Sequence, residues 1–307
     1  MQVSSSTRPA MRGVLIDISG TLHVGSTRIP RAAAALRRLQ ASGIPYHLCS
    51  NTSKESTRAV VARLQELGFD VGVGGSAGGA AREVWTSIGS VRRALDDMGL
   101  RRPYLILSDS AREDIRLSPS HSEEDDYGTP YDSVVIGLCP ARLDYAHLNT
   151  AFRILVREHP ACSPEQPVLI AAHTARYFEA PAGDGLALGP GPFVTALEHA
   201  ARVKAHVVGK PARAFFEAVV RDIDMHGCIG GGVTCTMPAD GRIAIIGDDV
   251  SADLCGGALE LGLWRVLVRT GKYRPGDESR PDADGGAPPD EVCASFADFV
   301  DRLLGVE

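Results

Sequence analysis

An α/β fold built on a parallel sheet is what this sequence predicts, and three observations carry the prediction. From residue 14 to about 89, short apolar runs alternate with amphipathic segments of helical spacing. That βαβα order implies parallel strands joined by crossover helices. Several of the apolar runs stop abruptly on polar or turn-forming residues, and in open α/β sheets the ligand crevice lies beyond such strand ends. With 307 residues, 44% of them hydrophobic, the chain can bury one large α/β domain or two smaller ones.

The first strand is the run Val14-Leu15-Ile16, which ends on Asp17 and is followed at once by Ile18-Ser19-Gly20-Thr21-Leu22. Residues 30–41 place Ala33, Leu36 and Leu39 at helical spacing, with Arg31, Arg37 and Arg38 outside and Gly43 as a stop. Residues 44–49 read as the second strand, ending in Ser50-Asn51-Thr52-Ser53, and 55–68 as a helix with Val60, Val61, Leu64 and Leu67 on its buried side. The glycine-rich tract 72–81 cannot bury much and reads as a flexible surface insertion.

From 91 to about 188 the order is less regular. Strands are expected at 104–107, 133–137 and 168–172, and a helix at 146–157 with Leu148, Phe152, Leu155 and Val156 as its apolar set. The acidic run Glu123-Glu124-Asp125-Asp126 reads as a solvated loop rather than a metal site. Residues 183–192, dense in glycine and proline, suit a hinge or domain return, and 193–201 form a helix. A strand at 205–208 leads into Gly209-Lys210-Pro211 and a helix at 212–220. Residues 227–238 are a second poorly packing insertion. The strand 242–246 ends in Gly247-Asp248-Asp249, and 263–268 is expected to be the last strand. Residues 275–291, with four prolines and six acids, read as loop, and 296–304 as a closing helix.

Composition narrows the function. The net charge is -6 and no long basic stripe exists, which argues against nucleic-acid binding by charge. No apolar run reaches the roughly 18 residues of a membrane span. The first twelve residues hold Arg8, Arg12 and three serines but no acid; they share features with a transit peptide, and a frayed terminus is the preferred reading. Seven cysteines without a Cys-x-x-Cys pair fit reduced thiols and a cytoplasmic location.

Four sites follow predicted strands: Asp17, Ser50, Lys210, and Asp248 with Asp249. Parallel strands would bring all four to one crevice. Taken singly, Asp17 is a nucleophile or metal ligand, or else it caps the next turn. Ser50-Asn51-Thr52 could cap a helix, and Lys210 could be a solvated helix start. Asp248, Asp249 and Asp253 repel one another unless a cation neutralises them. Taken together, a nucleophile, a hydroxyl, a cation and paired carboxylates are the groups that phosphoryl transfer requires.

The ordered set Asp-x-Ser-Gly-Thr-Leu, Ser-Asn-Thr, Gly-Lys-Pro and Gly-Asp-Asp-x-x-x-Asp resembles the haloacid dehalogenase-like hydrolase superfamily. The strings Ala175-Arg176-Tyr177, residues 184–193 and Thr270-Gly271-Lys272-Tyr273 are similar to two of its groups. These are the haloacid dehalogenase-like hydrolase domain-containing protein 2 group and the phospholysine phosphohistidine inorganic pyrophosphate phosphatases. The resemblance covers residues 12–307. It implies a Rossmann-like core of 12–89 and 192–307, with an inserted α/β cap of 90–191. It also implies that Asp17 attacks phosphorus to form an aspartyl-phosphate. Asp17, Asp248 and the Ser19 carbonyl would hold Mg²⁺, with Asp249 or Asp253 as a further ligand or a support. Ser50, Asn51 and the nearby amides would bind phosphate oxygens. Lys210 would offset the repulsion between Asp17 and the phosphate dianion, ~4 kcal/mol at ~4 Å and an effective dielectric of ~20. The implied partners are a small phosphorylated substrate or pyrophosphate, phospho-amino-acid side chains included, and a second copy of the chain in a homodimer. No nucleic acid or membrane is expected.

One departure matters. Most phosphatases of this superfamily carry a general-acid aspartate two residues after the nucleophile, where this chain has Ser19. The two related groups share that serine. A hydroxyl cannot exchange protons near neutrality as a carboxylate can, and losing such a group costs ~10²–10⁴-fold in rate. Weak action on alkyl monoesters, better action on P–O–P or P–N bonds, and a trappable phosphoenzyme are therefore expected. A dehalogenase would have no use for Mg²⁺. A phosphonatase would need a Schiff-base lysine in the cap, and 90–191 contains no lysine. The alternative of another class is a low-turnover Mg²⁺- and phosphate-binding interaction protein of the same fold. His173, Arg176 and Tyr177 are the candidates for substrate choice; His173 also reads as a satisfied interior histidine, and the other two as parts of the cap fold or a subunit contact.

Overall fold

The computed structural model describes residues 8–72, 84–116, 130–179, 185–226, 240–279 and 287–305. The tracts 73–81 and 227–238, the acidic run 123–126 and residues 280–286 lie outside the described residues. In chain order the first elements are β1 (Met11–Asp17), β2 (His23–Val24), β3 (Thr27–Arg28), α1 (Ala32–Ala41), β4 (Tyr46–Ser50) and α2 (Thr57–Glu66). There follow β5 (Val84–Thr86), α3 (Ser87–Asp97), β6 (Pro103–Ile106), α4 (Asp109–Arg116), β7 (Ser133–Ile136), α5 (Tyr145–Leu155) and β8 (Val168–Ala171). The hairpin strands β9 (Tyr177–Glu179) and β10 (Leu186–Leu188) precede α6 (Gly191–Ala201), β11 (His206–Val207) and α7 (Arg213–His226). The chain ends with β12 (Arg242–Gly247), α8 (Gly257–Glu260), β13 (Trp264–Val268), β14 (Glu291–Cys293) and α9 (Phe296–Leu303).

Two compact units result. One consists of the described residues of Met1–Cys49, Leu67–Glu83 and Phe216–Glu307, the other of those of Ser50–Glu66 and Val84–Phe215.

In the first unit, strands β14, β13, β12, β1 and β4 lie side by side in that order, all parallel. Val14, Leu15 and Ile16 of β1 and Ala244, Ile245 and Ile246 of β12 are fully buried, as strands covered on both faces must be. Ile16 stands opposite Ile246, so β1 and β12 leave the sheet at the same edge. α1 buries Ala32, Ala33, Ala35, Leu36 and Leu39, while Arg31 and Arg38 both pair with Asp301 of α9. Gly43, at φ 76°, takes the left-handed conformation after its last turn, the stop that the sequence predicts.

β13 is not the last strand, and the stretch 275–291 is not loop throughout. β14 adds to the sheet edge beside β13. Its three residues are too few to show alternation in sequence, and long-range anchors set its position. The buried Arg265 of β13 donates to the carbonyls of Ala287 (2.9 Å) and Pro288 and pairs with Asp290 (3.1 Å), while Trp264 Nε1 donates to Glu291 (3.1 Å).

The second unit is built on a parallel sheet of β6, β7, β8 and β11. Side chains alternate across it. Val135, Ile170 and Ala172 pack with Ile88, Val91 and Leu95 of α3 and Ala111 and Ile115 of α4. Val134, Ile136, Leu169 and Ala171 pack on the other face with Ala151, Ile154 and Leu155 of α5 and Val194 and Leu197 of α6. Helices therefore cover both faces, where the sequence suggested irregular order. α3 is capped by Thr86, whose side chain accepts from the Gly89 amide. Residues 186–188, read as part of a hinge, pair antiparallel with β9 as a hairpin. Ser50 caps no helix: its Oγ accepts from the Thr52 amide at 3.1 Å, a local turn, and α2 begins only at Thr57.

Candidate active site

Asp17 is the final residue of β1, and Asp248 directly follows β12. Their parallel register puts both carboxylates at one edge of the first unit's sheet. Asp253 comes back to them through the single turn Val250–Leu254, whose start Asp249 caps by accepting from the Ala252 amide. Ligand oxygens of Asp17, Asp248 and Asp253 all lie within 4.8 Å of one another, and all three residues are buried.

Two tight turns hold this cluster. Gly20 (φ 95°) and Gly271 (φ 58°) have left-handed backbones, and a Cβ on either would stand 2.0 or 2.1 Å from Asp248 Oδ2. Only glycine permits that approach. Thr270 Oγ1 donates to the Gly20 carbonyl and ties the turns together. A Cβ at Gly247 would likewise meet Asp253 Oδ2 at 2.2 Å.

The electrostatics follow from this crowding. Carboxylates ~4.8 Å apart repel by ~3.5 kcal/mol per pair at an effective dielectric of ~20. Burial first, then Asp17 and Asp253, push the Asp248 carboxyl well above the usual carboxylate range. Asp248 Oδ2 accepts from the Lys272 amide at 2.6 Å, whereas the buried Oδ1 has no hydrogen-bond partner among the described residues. An orphaned buried carboxylate oxygen beside two further carboxylates fits a hard divalent cation such as Mg²⁺, which takes oxygen ligands. Thr21 Oγ1 stands 3.5 Å from Asp17 Oδ2. Ser19 is exposed.

Lys272 is a residue that strand-end reasoning passed over. Its ammonium pairs with Asp249 Oδ2 at 3.0 Å, and its amide serves Asp248. Burial alone would lower its pKa; Asp249, then Asp248 and Asp253, outweigh burial and hold it above the ordinary value. The signal was present, since Thr270-Gly271-Lys272 comes just after the end of β13 as Asp248-Asp249 comes just after that of β12.

Ser50, Asn51 and Lys210 lie in the second unit, where Asn51 and Lys210 are brought together. Lys210 is buried, and Asn51 clamps its main chain from both sides: Oδ1 accepts from the Lys210 amide and Nδ2 donates to its carbonyl, each at 2.8 Å. A Cβ at Gly209 would meet the Ala172 carbonyl at 2.3 Å, so the segment before Lys210 is packed tightly. His173 is the satisfied interior histidine: Nδ1 accepts from the Ala175 amide (3.3 Å), and Nε2 lies 3.1 Å from the buried Ser53 Oγ. Arg176 and Tyr177 are exposed.

Comparison with known proteins matches residues 14–118 to a family described as haloacid dehalogenase-like hydrolase and residues 207–299 to one described as HAD-hydrolase-like. The chain is 38% identical to the haloacid dehalogenase-like hydrolase domain-containing protein 2 of Rattus norvegicus, over 97% of this chain and 98% of that protein. It is 34% identical to the phospholysine phosphohistidine inorganic pyrophosphate phosphatase of Homo sapiens, over 96% of this chain and 94% of that protein. Among solved structures it is similar to a 4-nitrophenylphosphatase from Thermotoga maritima, with TM-score 0.74, 19% identity and coverage of 95% and 97% of the two chains. A p-nitrophenyl phosphatase from Archaeoglobus fulgidus gives TM-score 0.74 and 21% identity, covering 96% and 100%. At those identities the structural likeness speaks for the fold.

Proposed function

Because the chain belongs to the haloacid dehalogenase-like hydrolases, we propose that it is a Mg²⁺-dependent phosphatase working through an aspartyl-phosphate on Asp17. The observation that carries this reading is the buried cluster of Asp17, Asp248 and Asp253, with one Asp248 oxygen lacking a hydrogen-bond partner among the described residues. Asp17, Asp248 and the Ser19 carbonyl are the groups that would hold Mg²⁺, with Asp249 and Asp253 supporting them. When bound, the ion neutralises charge on the phosphoryl group.

Asp17 attacks phosphorus: a carboxylate oxygen forms the new P–O bond, and the bond to the leaving group breaks with its electron pair. Water then attacks the phosphorus of the acyl phosphate, releasing inorganic phosphate and restoring Asp17. Ser50 and the amides from Asn51 onward bind the phosphate oxygens, and Lys210 offsets the repulsion between nucleophile and dianion. Asn51 also keeps the Lys210 main chain in place. Residues 90–191 act as the cap that selects substrate, and 12–89 with 192–307 act as the core.

Ser19 supplies no proton to the leaving group, so the substrate class is phosphorylated compounds whose leaving groups depart without strong protonation: P–O–P, aryl phosphate and P–N compounds. The same residue favours a second reading, a low-turnover protein that binds Mg²⁺ and phosphate. A substrate panel with and without Mg²⁺, run beside Asp17→Asn, separates the two. The phosphatase reading expects Mg²⁺-dependent turnover that Asp17→Asn abolishes; turnover at the same rate in Asp17→Asn would overturn it. Ser19→Asp should raise turnover of alkyl monoesters by ~10²-fold or more relative to pyrophosphate.

A further inference from the structure

The loop from Ser50 to Ser56 is dense in polar side chains, and nearly all are committed inside the second unit. Asn51 holds Lys210, Ser53 Oγ accepts from the Leu138 amide, and Glu55 pairs with Arg63. Ser56 Oγ donates to Glu113 at 3.2 Å. Lys54 is different. Its ammonium has no carboxylate partner among the described residues and lies 3.8 Å from the centroid of the Phe178 ring. The side chain is half-buried, and burial lowers its pKa from the ordinary lysine value.

Both partners are held in place. The Lys54 carbonyl accepts from Ser108 Oγ, which fixes the backbone beneath the side chain. Phe178 is the central residue of β9, and its cross-strand neighbour is Ala187. Tyr177, Leu186 and Leu188 occupy the opposite face of the hairpin and are exposed, so Phe178 is the aromatic residue on the face toward Lys54, with the small Ala187 beside it. A cation over an aromatic ring gains little at a partly exposed site, a weak return for partial desolvation. An ammonium held this way keeps its donors for an incoming anion.

We propose that Lys54 and Phe178 form a subsite for the part of the substrate that is not transferred, and that this part carries its own negative charge. Lys54 sits on the loop that supplies Ser50 and Asn51, so the subsite adjoins the residues assigned to the transferred phosphate. The substrate class is thereby narrowed to phosphoanhydrides and other phosphorylated compounds with an anionic leaving portion. This inference rests on the phosphatase reading.

The test is calorimetric binding of inorganic pyrophosphate and of 4-nitrophenyl phosphate, in the presence of Mg²⁺, to full-length Asp17→Asn protein. The same titrations are run on the double variants adding Lys54→Met, Lys54→Arg or Phe178→Leu. Lys54→Met should weaken pyrophosphate binding by about tenfold more than 4-nitrophenyl phosphate binding, and Lys54→Arg should recover most of the difference. Phe178→Leu should fall between them. Equal weakening of both ligands, or no weakening of either, overturns the subsite. The nitrophenyl ligand also reports whether the variants keep a working site. Absence of Mg²⁺-dependent turnover by the wild-type protein, with the pyrophosphate preference intact in binding, would count against the phosphatase reading and not against the subsite.

Discussion

The carboxylate cluster makes a quantitative prediction about Asp253→Asn. In the metal-free protein Asp17, Asp248 and Asp253 form three mutually repelling pairs within 4.8 Å. Each pair costs ~3.5 kcal/mol at an effective dielectric of ~20, and neutralising Asp253 removes two of them, an upper bound of ~7 kcal/mol. Proton uptake by Asp248 already relieves much of that, so ~1–3 kcal/mol of stabilisation should remain measurable. The asparagine carbonyl can still accept from the Asp249 amide, now bonded to Asp253 Oδ2 at 3.3 Å, so little packing is lost. The assay is urea unfolding of wild type and variant in EDTA and in excess Mg²⁺. Wild type should gain ~2.7 kcal/mol when Mg²⁺ is about a hundredfold above its dissociation constant. The variant should start higher in EDTA and gain less from Mg²⁺. A wild-type curve that ignores Mg²⁺, together with an Asp253→Asn protein no more stable than wild type in EDTA, would refute the metal-site reasoning.

Three further outcomes follow from the same geometry. Gly271→Ala places a Cβ against Asp248 Oδ2 on a left-handed backbone, so unfolding should show a loss of ~1–3 kcal/mol and Mg²⁺ should no longer restore it. Lys272→Met removes the cation beside Asp249; it should destabilise the EDTA-treated protein by ~1–2 kcal/mol and the Mg²⁺-loaded protein by less, because the bound ion then supplies the missing positive charge. The raised Asp248 carboxyl sets a pH dependence. A carboxyl whose folded pKa exceeds its unfolded value, ~3.9, contributes stability below that value and loses it as pH climbs through the folded pKa. In EDTA, the stability of wild type relative to Asp248→Asn should therefore decline from about pH 4 upward, and a flat difference would contradict the crowding argument.

What was legible in the sequence was whatever one strand could announce by itself. Asp17 and Asp248 each end an apolar run, and parallel pairing brings such ends together without any other information. Asp253 was visible only as a neighbour in sequence; the Val250–Leu254 turn makes it a full member of the cluster. Lys272 depends on a loop whose course is set by Thr270 bonding to Gly20, 250 residues earlier, and no local pattern records that contact. Helix α3 was missed for a different reason. Gly89 and Ser90 in its early turns weaken the helical pattern, although Thr86 as cap and Ile88, Val91 and Leu95 on one face were present. Strand β14 owes its place to Arg265 and Trp264 reaching across to 287–291, a tertiary decision.

Ser19 and Lys54 bear on the same question from opposite sides. On the proposed mechanism, a serine at the acid position would leave the departing group to carry its own charge away, which would restrict the reaction to good leaving groups unless the charge is met some other way. Protonation is one way and electrostatic stabilisation is another. On the same proposal, a half-buried ammonium on the loop that carries Ser50 and Asn51 would offer the second, and only for leaving portions that are anionic before the bond breaks as well as after. Pyrophosphate meets that condition and an alkyl alcohol does not. The two residues therefore predict a coupled phenotype. In Lys54→Met, Ser19→Asp should raise turnover of neutral alkyl leaving groups without restoring pyrophosphate binding, because a carboxyl group supplies a proton but no positive charge. Recovery of pyrophosphate binding in that double variant would mean that Lys54 acts by some route other than its charge.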